Sequence, residues 1–130
     1  MSSRQRTAMD ARISEFGTLL AAGRNAGPKS LGKRWLRGWV PKRPTAQEER
    51  VLEHIARLKR RERTAVLELV RYFVDLSFFK LLEILETGES GYTFELRMTT
   101  PTGVTVTLVD SKQDHSLRSR FFSWVKEHGY

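Results

Sequence analysis

The stretch AVLELVRYFVDLSFFKLLEILE, residues 65–86, decides the fold, because a helix built from it is apolar on nearly all sides. Its length matches a membrane span, yet five charged residues interrupt it before the final Glu86, at nearly regular spacing: Glu68, Arg71, Asp75, Lys80 and Glu83. Each charge in a bilayer centre costs on the order of a few kcal/mol, so the pattern favours a buried helix of a soluble protein. Glu68, Arg71 and Asp75 predict one narrow solvent-facing stripe on that helix.

The segment after this helix has the alternation of a β-hairpin. Apolar and polar residues alternate from Tyr92 to Met98, which predicts a half-buried strand. Residues 99–103, TTPTG, predict the loop, and Val104 to Leu108 predict the returning strand. Because an isolated two-stranded hairpin is marginally stable in water, its apolar face is expected to pack on the 65–86 helix.

Helices are predicted on both sides of these segments. Thr45 and Glu48 have the spacing of a capping box, so a helix is expected to begin there. This helix and the 65–86 helix are either one long bent helix or two helices that meet near residues 61–64, and we favour two because the apolar content rises abruptly there. A last helix is predicted to start near Asp114, with Asp114 as its cap and Gly129 at its end. Its inward residues are expected to be Leu117, Phe121, Trp124 and Val125.

The first third of the chain is predicted to be a basic arm. Met9, Ile13, Phe16 and Leu20 follow one helical stripe, so a short amphipathic helix is expected over residues 7–22, ending near Gly23. Residues 24–30, RNAGPKS, have the composition of a loop. The predicted fold is therefore α+β: an arm over residues 1–44, then one domain over residues 45–130 with two helices, a hairpin packed on them and a C-terminal helix.

The formal charge of +8 is concentrated in that arm. Residues 1–44 contain ten Lys and Arg against two acids, Asp10 and Glu15, whereas residues 45–130 contain thirteen of each sign. Such asymmetry predicts contact with a polyanion or with an acidic protein surface. A membrane surface is a weaker alternative, because the apolar stripe of residues 7–22 is narrow and both acids oppose anionic lipid.

The arm supplies the candidate binding residues, which are cationic or aromatic: Arg24, Lys29, Lys33, Arg34, Trp35, Arg37, Trp39, Lys42 and Arg43. Lys and Arg neutralise phosphates, and tryptophans among them can stack on unpaired bases, so one hypothesis is a binder of nucleic acid or of a ribonucleoprotein. Trp and Arg are also frequent hot-spot residues. The alternative is therefore a protein-interaction module, such as an inhibitor, immunity protein, adaptor or assembly subunit, anchored through Trp35 and Trp39.

A second basic run follows the arm and includes Arg57, Lys59, Arg60, Arg61 and Arg63. These residues surround the whole circumference of a helix, and Glu53 and Glu62 lie at pairing distance along it. The run is accordingly interpreted as an ordinary solvated helix segment without a binding role.

Catalytic and metal-binding patterns are weak, and the protein is expected not to be an enzyme. Asp110 and Lys112 end a predicted strand with the acid-x-Lys spacing of metal-dependent nucleases, and Glu95 could join them, but only two strands are evident. His54 and the two later histidines, His115 and His128, lack paired-ligand spacing, so no metal or cofactor is expected.

Two absences indicate the compartment. The chain has no cysteine, which favours a reducing environment. No apolar run of signal-peptide length lies near its beginning. A cytoplasmic location is expected.

Overall fold

The computed structural model describes residues 2–110 and 116–129, which form an α+β fold. Its described part contains the helices α1 (Ser3–Lys33), α2 (Ala46–Ala56), α3 (Arg60–Thr87) and α4 (Leu117–His128), and a short 3₁₀ helix at Trp35–Arg37. Strands β1 (Leu96–Thr99) and β2 (Thr105–Val109) pair antiparallel. None of the described helices is long and apolar enough to cross a membrane.

Contacts divide the chain into two units. The hairpin unit comprises residues 1–23 and 77–129, and the basic unit comprises residues 24–76. The basic unit contains fourteen Lys and Arg against six Asp and Glu, while the remaining residues contain nine of each sign. All of the formal excess charge of +8 therefore lies in the basic unit. The division into an arm (1–44) and a domain (45–130) stays a prediction.

The hairpin unit has a continuous apolar core. The buried members come from α1, α3, β2 and α4: Ile13, Leu82, Leu108, Val109, Leu117, Phe121 and Trp124. Leu96 and Met98 of β1 are partly buried and pack against them. The predicted packing of the hairpin on the apolar helix is thus confirmed for the C-terminal part of α3. Gly17 of α1 lies directly under the Trp124 ring, where an added Cβ would be 2.3 Å from the nearest ring atom. Glycine is therefore required at this helix position by close packing.

The first strand is shorter than predicted. Leu96 pairs with Val109 and Met98 with Val106, but residues 92–95 are not in the ladder. The backbone of Tyr92 is used instead in a tight turn, in which Tyr92 and Glu89 exchange both N–H···O bonds, at 2.8 and 3.0 Å. The N–H and carbonyl groups of Tyr92, which a longer strand would use in its ladder, are therefore already hydrogen-bonded to Glu89.

Helix α4 begins at Leu117 with Ser116 as its N-cap. The predicted cap, Asp114, lies outside the described residues. The Glu86 side chain of α3 accepts hydrogen bonds from the first turn of α4. Its carboxylate binds the Leu117 N–H and, at 3.0 Å, the Arg118 N–H. An acid at a helix N-terminus is favourable electrostatically. The inward residues of α4 are as predicted, with Leu117, Phe121 and Trp124 buried.

The capping box at Thr45 and Glu48 is confirmed, with both reciprocal bonds present at 3.0 and 3.1 Å. The prediction of two separate helices is also confirmed, although they meet at residues 57–59 rather than near 61–64. The Lys59 N–H donates to the Glu62 side chain at 2.9 Å, which repeats half of a capping box and starts α3 earlier than predicted.

Helix α1 does not end near Gly23, and the predicted loop at residues 24–30 is wrong. The helix continues to Lys33 with Pro28 inside it. Proline removes one helical hydrogen bond and disfavours a helical conformation in the residue before it. That residue is Gly27, which lacks the Cβ that would clash. Arg24, Asn25 and Pro28 are buried, so tertiary contacts keep this segment helical against its composition.

The polar stripe predicted on the apolar helix is also wrong in part. Asp75 is largely covered and pairs with the buried Arg24, and Arg71 is only partly exposed. The solvent-facing side of α3 in the basic unit instead carries four large apolar residues, Leu69, Tyr72, Phe73 and Leu76, which are 36–63% exposed. Glu68 remains exposed as predicted, but the pairing of Asp75 with a buried arginine and the exposed apolar side chains beside it reverse the usual pattern locally.

Candidate functional site

Residues 34–39 form a tight turn in the basic unit. The 3₁₀ helix Trp35–Arg37 is closed by Gly38, whose φ of 91° lies in the left-handed region. Glycine is favoured there because it has no Cβ to clash. The Gly38 N–H donates to the Trp35 carbonyl at 3.3 Å and the Trp39 N–H donates to the Arg34 carbonyl at 3.1 Å. The chain therefore turns back and places Trp39 beside Arg34 and Trp35.

The two tryptophans of this turn form an ordered aromatic pair. Their ring centroids lie 5.4 Å apart with an interplanar angle of 67°, an edge-to-face arrangement. The Arg34 guanidinium carbon lies 5.6 Å from the centre of the Trp39 ring, within cation–π range. Trp39 is nevertheless 41% exposed. Its ring is thus held in place by two neighbours and still open to solvent.

A pocket of about 610 Å³ lies next to this turn and is lined by three arginines. Arg37 comes from the 3₁₀ helix, and Arg60 and Arg63 come from the first turn of α3. Thr64 adds a hydroxyl, and the other lining residues are Gly32, Leu36, Leu58 and Leu67. No acidic residue is among them. The pocket can therefore receive an anionic group.

The three arginines differ in the contacts that their side chains form within the protein. Arg63 ties the pocket together, because its Nη1 donates to the Leu36 carbonyl at 2.6 Å and its Nε donates to the Leu58 carbonyl at 3.2 Å. A guanidinium has five N–H donors, so Arg63 has further donors besides the two used in these hydrogen bonds. Arg37 and Arg60 form no ion pair with a carboxylate anywhere in residues 2–110 and 116–129. Their charge is available to a ligand.

Most of the predicted cationic residues lie on the surface. The exposed ones are Lys29, Lys33, Arg34, Arg37, Lys42 and Arg43. Arg24 is the exception, since it is 1% exposed and paired with Asp75. Its expected role as a surface contact is therefore corrected to an internal one.

The structure adds residues to which the sequence analysis assigned no role. Arg60 and Arg63 belong to the basic run that was interpreted as an ordinary solvated segment. Their spacing of three, continued by Thr64 and Leu67, puts them on one helix face. This face could have been separated from the rest of the run on a helical wheel. What no wheel could show is that Arg37, from a different element, lines the same pocket.

The described residues show no arrangement that supports the weaker catalytic and metal hypotheses. Among the residues that the structure describes, no three His, Asp or Glu side chains are grouped so as to hold a metal ion. The Glu95 carboxylate is bound by Arg97 at 2.7 Å, and Lys112 lies outside the described residues. A second pocket, of about 470 Å³ in the hairpin unit, is mainly apolar and includes Met9, Val104 and Val106.

Comparisons with protein-family models, with curated proteins and with solved structures give no match to this chain. Function is therefore inferred from the geometry and charge of the basic unit.

Proposed function

We propose that this protein is a non-catalytic nucleic-acid binder whose basic unit contacts phosphate groups. The observation that supports this most directly is the pocket where Arg37, Arg60 and Arg63 converge without an acid among the lining residues. Guanidinium groups match phosphate oxygens in both charge and hydrogen-bond geometry. A cytoplasmic location, where nucleic acid is abundant, is part of the proposal.

The surroundings of the pocket favour a polyanion over a single small anion. Exposed cations continue from Lys29 to Arg43, so positive charge extends along the surface of the basic unit beyond the pocket. The entire excess of +8 lies within residues 24–76. A polymer that neutralises several of these charges releases counterions from many sites at once, which gives an affinity that falls steeply with salt.

The test is a fluorescence-anisotropy titration with labelled DNA and RNA at a series of salt concentrations. Two double variants are compared, each of which lowers the net charge by two. Arg37→Gln with Arg60→Gln removes the free arginines of the pocket, whereas Arg4→Gln with Arg6→Gln removes two exposed arginines of the hairpin unit. We expect the first to weaken binding about tenfold or more and to reduce the salt slope by about 1–2.

The control pair is expected to bind within about twofold of the unchanged chain, because Arg4 and Arg6 are not among the residues that line the pocket. Equal losses in the two double variants would contradict a specific role for the pocket. Failure of the unchanged protein to bind any oligonucleotide at low salt would overturn the proposal altogether.

A second candidate function is a protein-interaction module for a partner with an acidic surface. It is favoured by the partly exposed Trp39 and by the outward-facing apolar side chains at residues 69–76 of α3. Aromatic anchors surrounded by matching charge are typical of protein interfaces. Here Trp35→Ala with Trp39→Ala should abolish a protein complex that moderate salt leaves intact. Formation of that complex by the double variant would exclude anchoring through the tryptophans.

A further inference from the structure

We infer that the ligand of the basic unit is single-stranded, with a base stacked on Trp39 and a phosphate at the arginine pocket. This inference rests on the proposed function and specifies its substrate class. The observation behind it is the combination of a solvent-open tryptophan, held by its neighbours in a short turn, and an arginine pocket next to the same turn, to which the turn contributes Arg37.

The Trp39 ring is oriented before any ligand arrives. Trp35 contacts it edge-to-face, and the guanidinium carbon of Arg34 is 5.6 Å from the centre of the ring. The hydrogen bond from the Trp39 N–H to the Arg34 carbonyl closes the turn. An aromatic ring that is already held loses little conformational freedom when a base stacks on it. Base–aromatic stacking is also tolerant of sequence, because every base has a π-face.

Arg37 and Trp39 are close enough along the chain to bind one short piece of a single-stranded nucleic acid. Arg37 lines the pocket and Trp39 follows it by two residues, so their Cα atoms lie within about 7 Å. In the inferred complex, the phosphate at the pocket and the base on the ring belong to the same or to neighbouring nucleotides. Arg34, whose guanidinium carbon is 5.6 Å from the centre of the ring, adds a positive charge in the same turn.

A duplex cannot use Trp39 in this way. Its bases are already stacked on one another, and a protein ring reaches a base face only at an end or after unpairing. Duplex would still be attracted to the cations through its backbone. Replacing Trp39 should therefore weaken binding of the single strand much more than binding of the duplex. Replacing Arg37 should weaken binding of both forms.

The experiment compares a single-stranded oligonucleotide of about 12 nucleotides with the duplex of the same sequence. Trp39→Ala is expected to weaken single-strand binding by about 5- to 100-fold, to change duplex binding by less than about twofold, and to leave the salt slope unchanged. Trp39→Phe, which keeps a ring, should recover most of the loss. Tyr92→Ala is the matched control, because Tyr92 is an aromatic residue of the hairpin unit and is 73% exposed.

A second measurement locates the base directly. Irradiation of a complex with strand carrying 5-iodouracil, followed by mass spectrometry, should find the crosslink at Trp39. A loss that is equal for both ligand forms in Trp39→Ala would overturn the inference, because it would indicate a structural role for the ring. Equal affinity for strand and duplex with no effect of Trp39→Ala would overturn it while leaving the proposed function standing. Absence of all binding would overturn both.

Discussion

The guanidinium of Arg24 on α1 forms a two-pronged ion pair with the carboxylate of Asp75 on α3, 51 positions further along the chain: Nε donates to Oδ1, and Nη2 donates to Oδ2 at 2.9 Å. Arg24 is 1% exposed, and its Nη1 also donates to the Asn25 side chain at 2.6 Å. The pair joins two helices of the basic unit and holds the Arg24 side chain away from the surface.

Replacing Arg24 should therefore reduce stability more than it reduces ligand binding. Arg24→Met leaves the Asp75 carboxylate without its guanidinium partner. Since that carboxylate keeps 21% side-chain exposure, we expect a loss of about 2–3 kcal/mol in the free energy of unfolding, below the full value for a buried pair. Urea unfolding followed by circular dichroism measures this. Arg24→Met with Asp75→Leu should recover part of the loss, and a double variant less stable than Arg24→Met would contradict the pairing.

Arg63 is expected to support the pocket as well as to line it. Arg63→Gln removes the donors to the Leu36 and Leu58 carbonyls, so we expect a destabilisation of about 1–3 kcal/mol together with weaker oligonucleotide binding. Arg61→Gln removes the same charge from an exposed position two residues earlier and should change stability by less than about 0.5 kcal/mol. Thermal unfolding of the two variants side by side gives the comparison, and similar melting temperatures would argue against the carbonyl bonds.

Two glycines of α1 should respond to alanine in opposite directions. Gly17→Ala places a Cβ within 2.5 Å of Trp124 ring atoms, so about 1–3 kcal/mol of destabilisation is expected from overpacking. Gly23→Ala meets nothing within 4 Å, and the higher helix propensity of alanine should stabilise the protein by about 0.5–1 kcal/mol. Chemical denaturation of both variants decides the matter. A stabilised Gly17→Ala would show that Trp124 does not pack on this helix.

The outward-facing apolar residues of α3 should contribute little to folding. Leu69→Gln with Phe73→Gln replaces side chains that are 57% and 56% exposed, so we expect a change in unfolding free energy within about 1 kcal/mol. Leu82→Ala, at a position of the same helix that is 1% exposed, should cost about 2–5 kcal/mol. A large loss of stability in the double variant, measured by urea titration, would mean that these side chains are covered in the folded chain.

Much of the fold follows from short-range patterns in the sequence. The capping box of Thr45 and Glu48, the inward residues of α4 and the hairpin pairing were all predicted, because the groups involved are three or four residues apart or alternate along a strand. Such interactions depend on residue type and spacing alone. The location of the excess charge in the early part of the chain and the choice of Trp39 as a candidate contact also came from the sequence.

Only the tertiary structure decided which charges are inside and which converge. Residues 24–30 have the composition of a loop, yet they are helical because Arg24 pairs with Asp75, a partner that no local pattern identifies. Likewise, Arg37 and Arg60 acquire a common pocket only when the 3₁₀ helix packs beside the first turn of α3. The physical reason is the same in both cases: the energy of a charge depends on its burial and on its partners, and those are set by residues far away along the chain.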